Sequence, residues 1–359
     1  MIKFLVVVFA FVASIAPVPS DTVERWFSTG IYPAIQRHLT ALSDSLPFAL
    51  FDVLVVAGCL GVFAASLRAV FQVRRTRRVW PAVRLVGNLM FVAALVYIVF
   101  LALWGLNYRR VSIASGLVVE RGAPSPQEVT ELGVEAVAQL NALHDEAHRS
   151  GWDDGPSSNG VLQASFIAAQ RMLNDGAPVK PGRLKRTVFG PYFRWTSIDA
   201  MINPFGLEVL TNPDLLAFER PFVAAHEWSH LAGYANEAEA SFLGWLACMR
   251  ADVPAQYSGW LFLYWQVASE IDETGRAQLV NLLDVGPRRD IQAVADRLQR
   301  GQVPWLRTAG WRVYDQYLKV NRVEGGVRSY GAVLTLILGT RFEPNWTPVR
   351  RPVIQAPAS

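Results

Sequence analysis

The sequence predicts a mainly α (α+β) protein in which N-terminal transmembrane helices precede a mostly helical domain with a small strand region. Three observations lead there. Of 359 residues, 52% are hydrophobic and 18% charged, against about 25% charged in an average soluble domain. Charge is thinnest before residue 108, where three apolar runs stand. Beyond that point apolar residues recur at helical spacing between turn clusters. The 12 Trp, 19 Phe and 10 Tyr supply a large core, which excludes a disordered chain. The net charge of +4 comes without a long basic tract in the C-terminal part, so nucleic acid is not an expected partner. Cys59 and Cys248 lie far apart, which excludes a disulfide framework and a Cys-rich metal site.

The membrane region comprises residues 1–108, with three predicted spans at about 4–19, 48–70 and 85–106. The last two have the roughly 20 residues that cross a hydrocarbon core. The first is short. Cleavage after Ala16 would fall directly before Pro17, so the run is read as an uncleaved anchor, with a signal peptide as the alternative. Arg74, Arg75, Arg77, Arg78 and Arg84 lie between the second and third spans and predict a cytoplasmic loop there. The loop 21–47 and everything after Asn107 are then outside; Arg109 and Arg110 argue weakly against this.

Residues 109–359 form the second domain. Ser125-Pro126-Gln127-Glu128 is a capping box with Pro at the first helical position, opening a helix to about His148. A second helix covers about 161–173. Residues 176–212, rich in Gly, Pro and aromatics, hold short strands and loops. Helices follow at 221–232, 237–250, 257–271, 288–300, 305–322 and 327–340.

His226-Glu227-Trp228-Ser229-His230 carries the chemistry. On a helix, positions i and i+4 share a face, so both imidazoles reach one Zn²⁺. Glu227 is one step round and meets the metal's water as a general base. Five His and fifteen Glu in this length give about 0.003 such motifs by chance, so the signal is specific. A catalytic zinc needs a third protein ligand and one open position. No His follows His230, so a carboxylate is expected. Gly233 ends the motif helix in a left-handed cap and Asn236 caps the next. Glu237 is the expected ligand and Glu239 the alternative, since a Glu three after the cap folds back onto the Asn236 amide. Glu270 is a remoter candidate.

The run His226 to Phe242 resembles zinc metallopeptidases of the gluzincin group, in which a Glu on the next helix follows HExxH. Glu237-Ala238-Glu239-Ala240 is similar to their E-x-x-A element, whose first Glu binds metal. Ser241 stands where such proteins usually carry Asn or Asp. More widely, the chain resembles a bacterial membrane family known as domain of unknown function 3810. The matching stretches include Glu24 to Pro33, Leu46-Pro47-Phe48, Trp104 to Tyr108, Val313 to Asn321 and Ser329-Tyr330-Gly331. The resemblance implies a zincin-like peptidase domain outside the bacterial inner membrane, with Zn²⁺ as cofactor. The lipid bilayer and a peptide or protein of the envelope are the implied partners; the oligomeric state stays open. The alternative is a non-catalytic metal-binding membrane protein with a regulatory or envelope-assembly role. An intramembrane protease is disfavoured, because Glu219, Arg220, Glu237 and Glu239 flank the motif.

Three further features are weighed. His144-Asp145-Glu146-Ala147-His148 is read as a solvated helix face, with a secondary metal site as the alternative. Asn203 to Leu210 is either a core loop or an edge strand for an extended substrate. Tyr192 and Tyr330 are core tyrosines or oxyanion donors.

Overall fold

The computed structural model describes residues 1–120, 122–152, 160–320 and 332–352. It is mainly helical with a few short strands. α1 (Ile2–Ile15) packs on α5, α2 (Ser20–Val23) leads into a π-helical stretch (Glu24–Ile31), and α3 (Tyr32–Ser45) follows. α4 (Leu50–Thr76) and α5 (Trp80–Leu103) form an antiparallel apolar hairpin. A short turn, α6 (Ile113–Gly116), leads to α7 (Pro126–Ser150) and α8 (Gly160–Leu173). The strand region holds β1 (Leu184–Arg186), α9 (Gly190–Thr196), β2 (Ala200–Asn203) and β3 (Glu208–Thr211). Then come α10 (Arg220–Leu231), α11 (Glu237–Met249), α12 (Val253–Glu270), α13 (Glu273–Leu282), α14 (Val285–Gln299) and α15 (Pro304–Val320). α16 (Ala332–Gly339) and the strand pair β4 (Phe342–Glu343) and β5 (Thr347–Pro348) close the described chain.

Among the described residues, two helices, α4 and α5, are long and apolar enough to cross a membrane. Their apolar side chains face outward, with Leu60 and Phe63 both 62% exposed, the kind of surface that marks membrane or partner contact. α1 has only 14 residues. Pro17 and Pro19 follow it, and the chain turns by 112° before the helices of residues 20–45, so a third span exists only if that bent pair counts as one. The second span also differs from the expected 48–70. α4 runs on to Thr76, which puts Arg74 and Arg75 in its last turn, and Arg84 falls inside α5.

Residues 21–47, expected as a loop, are largely helical, and they are built into the C-terminal core. Val23, Phe27 and Tyr32 share one buried cluster with Phe100, Trp104, Trp228, Trp245 and Tyr257. α4, one of the two long apolar helices, is fixed to the sheet by capping. Glu208 of β3 accepts from the amides of Leu50 (3.1 Å) and Phe51 (2.7 Å), the orphan donors at the start of α4. Lys185 of β1 holds that carboxylate at 3.0 Å, and Asp52 accepts from the amide of Val188 at 2.9 Å.

The sheet has the order β1-β3-β2, with β1 parallel and β2 antiparallel to β3. Asn203 to Leu210 is therefore the hairpin turn plus most of the central strand. β2, just upstream, is one of the two edge strands of this sheet, β1 the other. The α7 capping box forms as predicted, with Ser125 and Glu128 exchanging hydrogen bonds. α9 and α13 were not expected. α9 has only seven residues, and α13 has no continuous apolar stripe: Leu279 is its one buried residue.

Candidate metal centre

One helix–turn–helix assembles the centre. α10 carries His226 and His230 four apart. It ends at Gly233, with φ of 82°, where the Gly233 amide donates to His230 O and the Tyr234 amide to Ser229 O, both at 3.0 Å. This is the glycine cap expected from sequence. The Asn236 side chain then accepts from the amides of Ala238 (2.9 Å) and Glu239 (3.2 Å) and starts α11. Glu237, the first residue of α11, is thereby returned over α10.

The two helices touch at backbone distance. A Cβ on Gly244 would lie 2.9 Å from His226 N and 3.1 Å from His226 Cα. Gly244 is two turns beyond Glu237 on the same face, so its missing side chain sets how close Glu237 comes to the histidines. This signal stood in the sequence unused.

His226 Nε2 lies 3.3 Å and His230 Nε2 3.4 Å from Glu237 Oε2. Donors bound at about 2.0–2.1 Å to a tetrahedral ion stand about 3.3 Å apart, so donor types and spacing both fit such an ion. The other ring nitrogens are held. His230 Nδ1–H donates to Tyr234 O at 2.8 Å, and Ser241 Oγ lies 3.2 Å from His226 Nδ1. Both Nε2 atoms are thus aimed at Glu237. Ser241, the departure from the gluzincin pattern, supplies a hydroxyl where Asn or Asp would reach.

Charge in this pocket is coupled. Burial raises the Glu237 pKa, but the charges and hydrogen bonds of His230 and His226 prevail and hold it well below the usual carboxylate range. Burial likewise disfavours charged His230, and Glu237 overrides it, pushing the imidazole up to about 9. The arrangement favours a positive charge among these side chains. Glu227 is 5% exposed, and burial raises its pKa against the opposing pull of His226 and His230. Its Oε2 is buried and has no hydrogen-bond partner among the described residues.

The end of the motif helix is closed by residues far upstream in the chain. Trp104 Nε1–H, just past α5, donates to His230 O at 2.8 Å, and the Tyr32 hydroxyl donates to Leu231 O at 2.6 Å. Arg110 reaches Ala232 O at 3.2 Å while pairing with Glu24 at 2.8 Å. Three carbonyls at the helix end thus accept from donors 126, 199 and 122 residues away, His230 O in addition to its bond from the Gly233 amide. At the other end, Arg297 of α14 pairs with Glu219 (2.6 Å), the residue before α10, and with Asp199 (2.9 Å), the residue before β2. Sequence reasoning missed all of these.

Glu239 is not in the cluster. Its Oε1 accepts from the Ile113 amide at 3.0 Å, and it hydrogen-bonds Ser112. It therefore holds α6 to α11; the fold-back onto the Asn236 amide expected of a capping box is not among its bonds. Burial raises its pKa, opposed by Ser112 and Arg110. Glu270 is exposed at the end of α12. Tyr192 is exposed on α9, and Tyr330 lies outside the described residues, as do Asn321 and Ser329 to Gly331 of the matching stretches. His144 is half-buried and His148 exposed on the helix face, and with Asp290 they make a second group of potential metal donors.

Fold and site together define a mainly helical protein with membrane-length helices and a His–His–Glu cluster on a helix pair. The chain belongs to the family described as protein of unknown function (DUF3810), whose model matches residues 27–338. That span contains α4, α5 and the whole cluster. No curated protein and no solved structure matches the chain.

Proposed function

We propose that this is a membrane-anchored zinc metallopeptidase, with a zincin-like domain that hydrolyses peptide bonds in the bacterial envelope. The observation that carries the reading is the convergence of two Nε2 atoms on one Glu237 oxygen at 3.3 and 3.4 Å, beside a buried Glu227 oxygen that has no hydrogen-bond partner among the described residues. His226, His230 and Glu237 would hold the ion. Zn²⁺, when bound, polarises a carbonyl and brings the pKa of water down toward about 7.

Glu227 supplies the base. Its Oε2 takes a proton from the attacking water, and the same carboxyl returns it to the leaving amine. The free edge of β2 is suited to an extended peptide, because β2 borders α10 and is paired by a described strand on one side only. The orientation is supported by the α4–α5 hairpin. Arg74, Arg75, Arg77 and Arg78 lie at the end remote from the capped start of α4, as expected if that end is cytoplasmic and the catalytic domain is outside the inner membrane.

The test is N-terminal peptide profiling of membranes from cells producing the parent or Glu227→Gln. New N-termini should appear with the parent and be absent with the Gln variant. Identical profiles, at equal protein levels, would replace the peptidase with a regulatory metal-binding protein.

A further inference from the structure

We infer that His144, His148 and Asp290 form a second, structural Zn²⁺ site that ties α7 to α14. The two histidines lie four apart on α7 with ring centroids 4.4 Å from each other. Asp290 Oδ2 lies 2.8 Å from His148 Nε2 and 3.7 Å from His144 Nε2. These separations bracket the roughly 3.3 Å between donors on a tetrahedral ion.

The orientation of the His144 ring suits a metal ion. His144 Nδ1 lies 2.9 Å from the carboxylate of Asp145. An ionised carboxylate only accepts, so Nδ1–H donates to it, and Nε2, on the side of Asp290, is the ring atom that would face the ion.

The His144 ring also lies against the start of α14, where Gly286 packs on it. Asp145 on the outer nitrogen completes the carboxylate–histidine arrangement that orients such ligands.

The surroundings are built for the same purpose. Asp290 is 8% exposed, and the Tyr257 hydroxyl donates to it at 2.6 Å. Trp152 and Phe218 close on the His148 ring at 5.6 and 6.0 Å. His148 keeps 36% of its side chain exposed, which leaves a water-accessible path for the ion. Two imidazoles and a carboxylate suit Zn²⁺ among the common divalent ions. The inference does not rest on the peptidase reading.

The test is zinc content, by mass spectrometry, of full-length protein in detergent after chelator stripping, Zn²⁺ loading and desalting. The expected counts are two per chain in the parent and one in H226A/H230A. That remaining ion should be lost when Asp290→Asn is added, a change that keeps the side-chain volume and the Tyr257 hydrogen bond. A folded H226A/H230A protein carrying no zinc overturns the site. Should H226A/H230A fail to fold, Asp290→Asn in the parent decides: loss of one ion supports the site, and an unchanged count overturns it. Failure of the HExxH centre alone reads differently, as a single ion that survives H226A/H230A and disappears with Asp290→Asn.

Discussion

Gly244→Ala probes the helix contact that positions the His226–His230–Glu237 cluster. The added Cβ would stand 2.9 Å from His226 N, 3.1 Å from its Cα and 3.2 Å from Ala225 C. All three are backbone atoms, so no rotamer change relieves the contact, and α11 must retreat by about 0.5 Å to reach ordinary van der Waals distance. Overpacking costs about 1–3 kcal/mol, and replacing a mid-helix Gly by Ala returns about 1 kcal/mol. The net loss is then about 0–2 kcal/mol, a few degrees in Tm. Metal affinity should fall further. Glu237 rides on the same face of α11, and displaced supports of metal ligands typically cost about 10–100-fold. The assay is competition with a chelating dye in an Asp290→Asn background, so that one site is read, with thermal unfolding alongside. Gly61→Ala, where the new Cβ meets nothing within 4 Å, is the control. Zinc affinity within twofold of the parent would show that the α10–α11 contact does not position Glu237.

Other outcomes follow from the same geometry. Glu237→Ala should lose the ion of the HExxH centre, whereas Glu239→Ala should keep it and lose about 1–3 kcal/mol by leaving the buried Ile113 amide unpaired; metal counts and urea unfolding separate the two. Tyr32→Phe strips the donor from Leu231 O and should cost about 1–3 kcal/mol in the same unfolding assay, although Tyr32 is 199 residues from its acceptor. Burial raises the Glu208 pKa, but hydrogen bonds from Asn203, the Phe51 amide and Lys185 outweigh it, and the net shift is downward. A depressed carboxyl contributes stability above its unfolded value of 4.5 that is lost as pH falls through the folded one. Tm should therefore fall less steeply below pH 4.5 in Glu208→Gln than in the parent, and an equal slope would contradict this; the variant itself should lose about 3–5 kcal/mol at pH 7 by stranding Lys185.

What was legible in the sequence was local. The i, i+4 histidines, the Gly233 cap and the Asn236 cap each depend on a few consecutive residues, and together they place Glu237. The role of Glu239 was missed because its partner, the Ile113 amide, is 126 residues away, and a local capping rule had no competitor. His144 and His148 were visible as a pair, but Asp290, 142 residues on, is what turns a polar helix edge into a cluster. Residues 21–47 were read as a loop because four of their buried positions, Ser28, Gln36, Thr40 and Ser43, are polar and interrupt the apolar ones. Their hydrogen bonds satisfy other segments instead of forming an apolar stripe. Tyr32 and Trp104 lay inside stretches that resemble the family, and closing the motif helix gives those stretches a physical reason.

The central claim is that His226, His230 and Glu237 hold a zinc ion, and anomalous scattering at the zinc edge tests it most directly. Crystals of the full-length protein grown with zinc should give a peak about 2.0–2.2 Å from His226 Nε2, His230 Nε2 and a Glu237 carboxylate oxygen, with Glu227 outside bonding distance. An ordered site in which those three side chains are resolved and no peak lies between them would contradict the account.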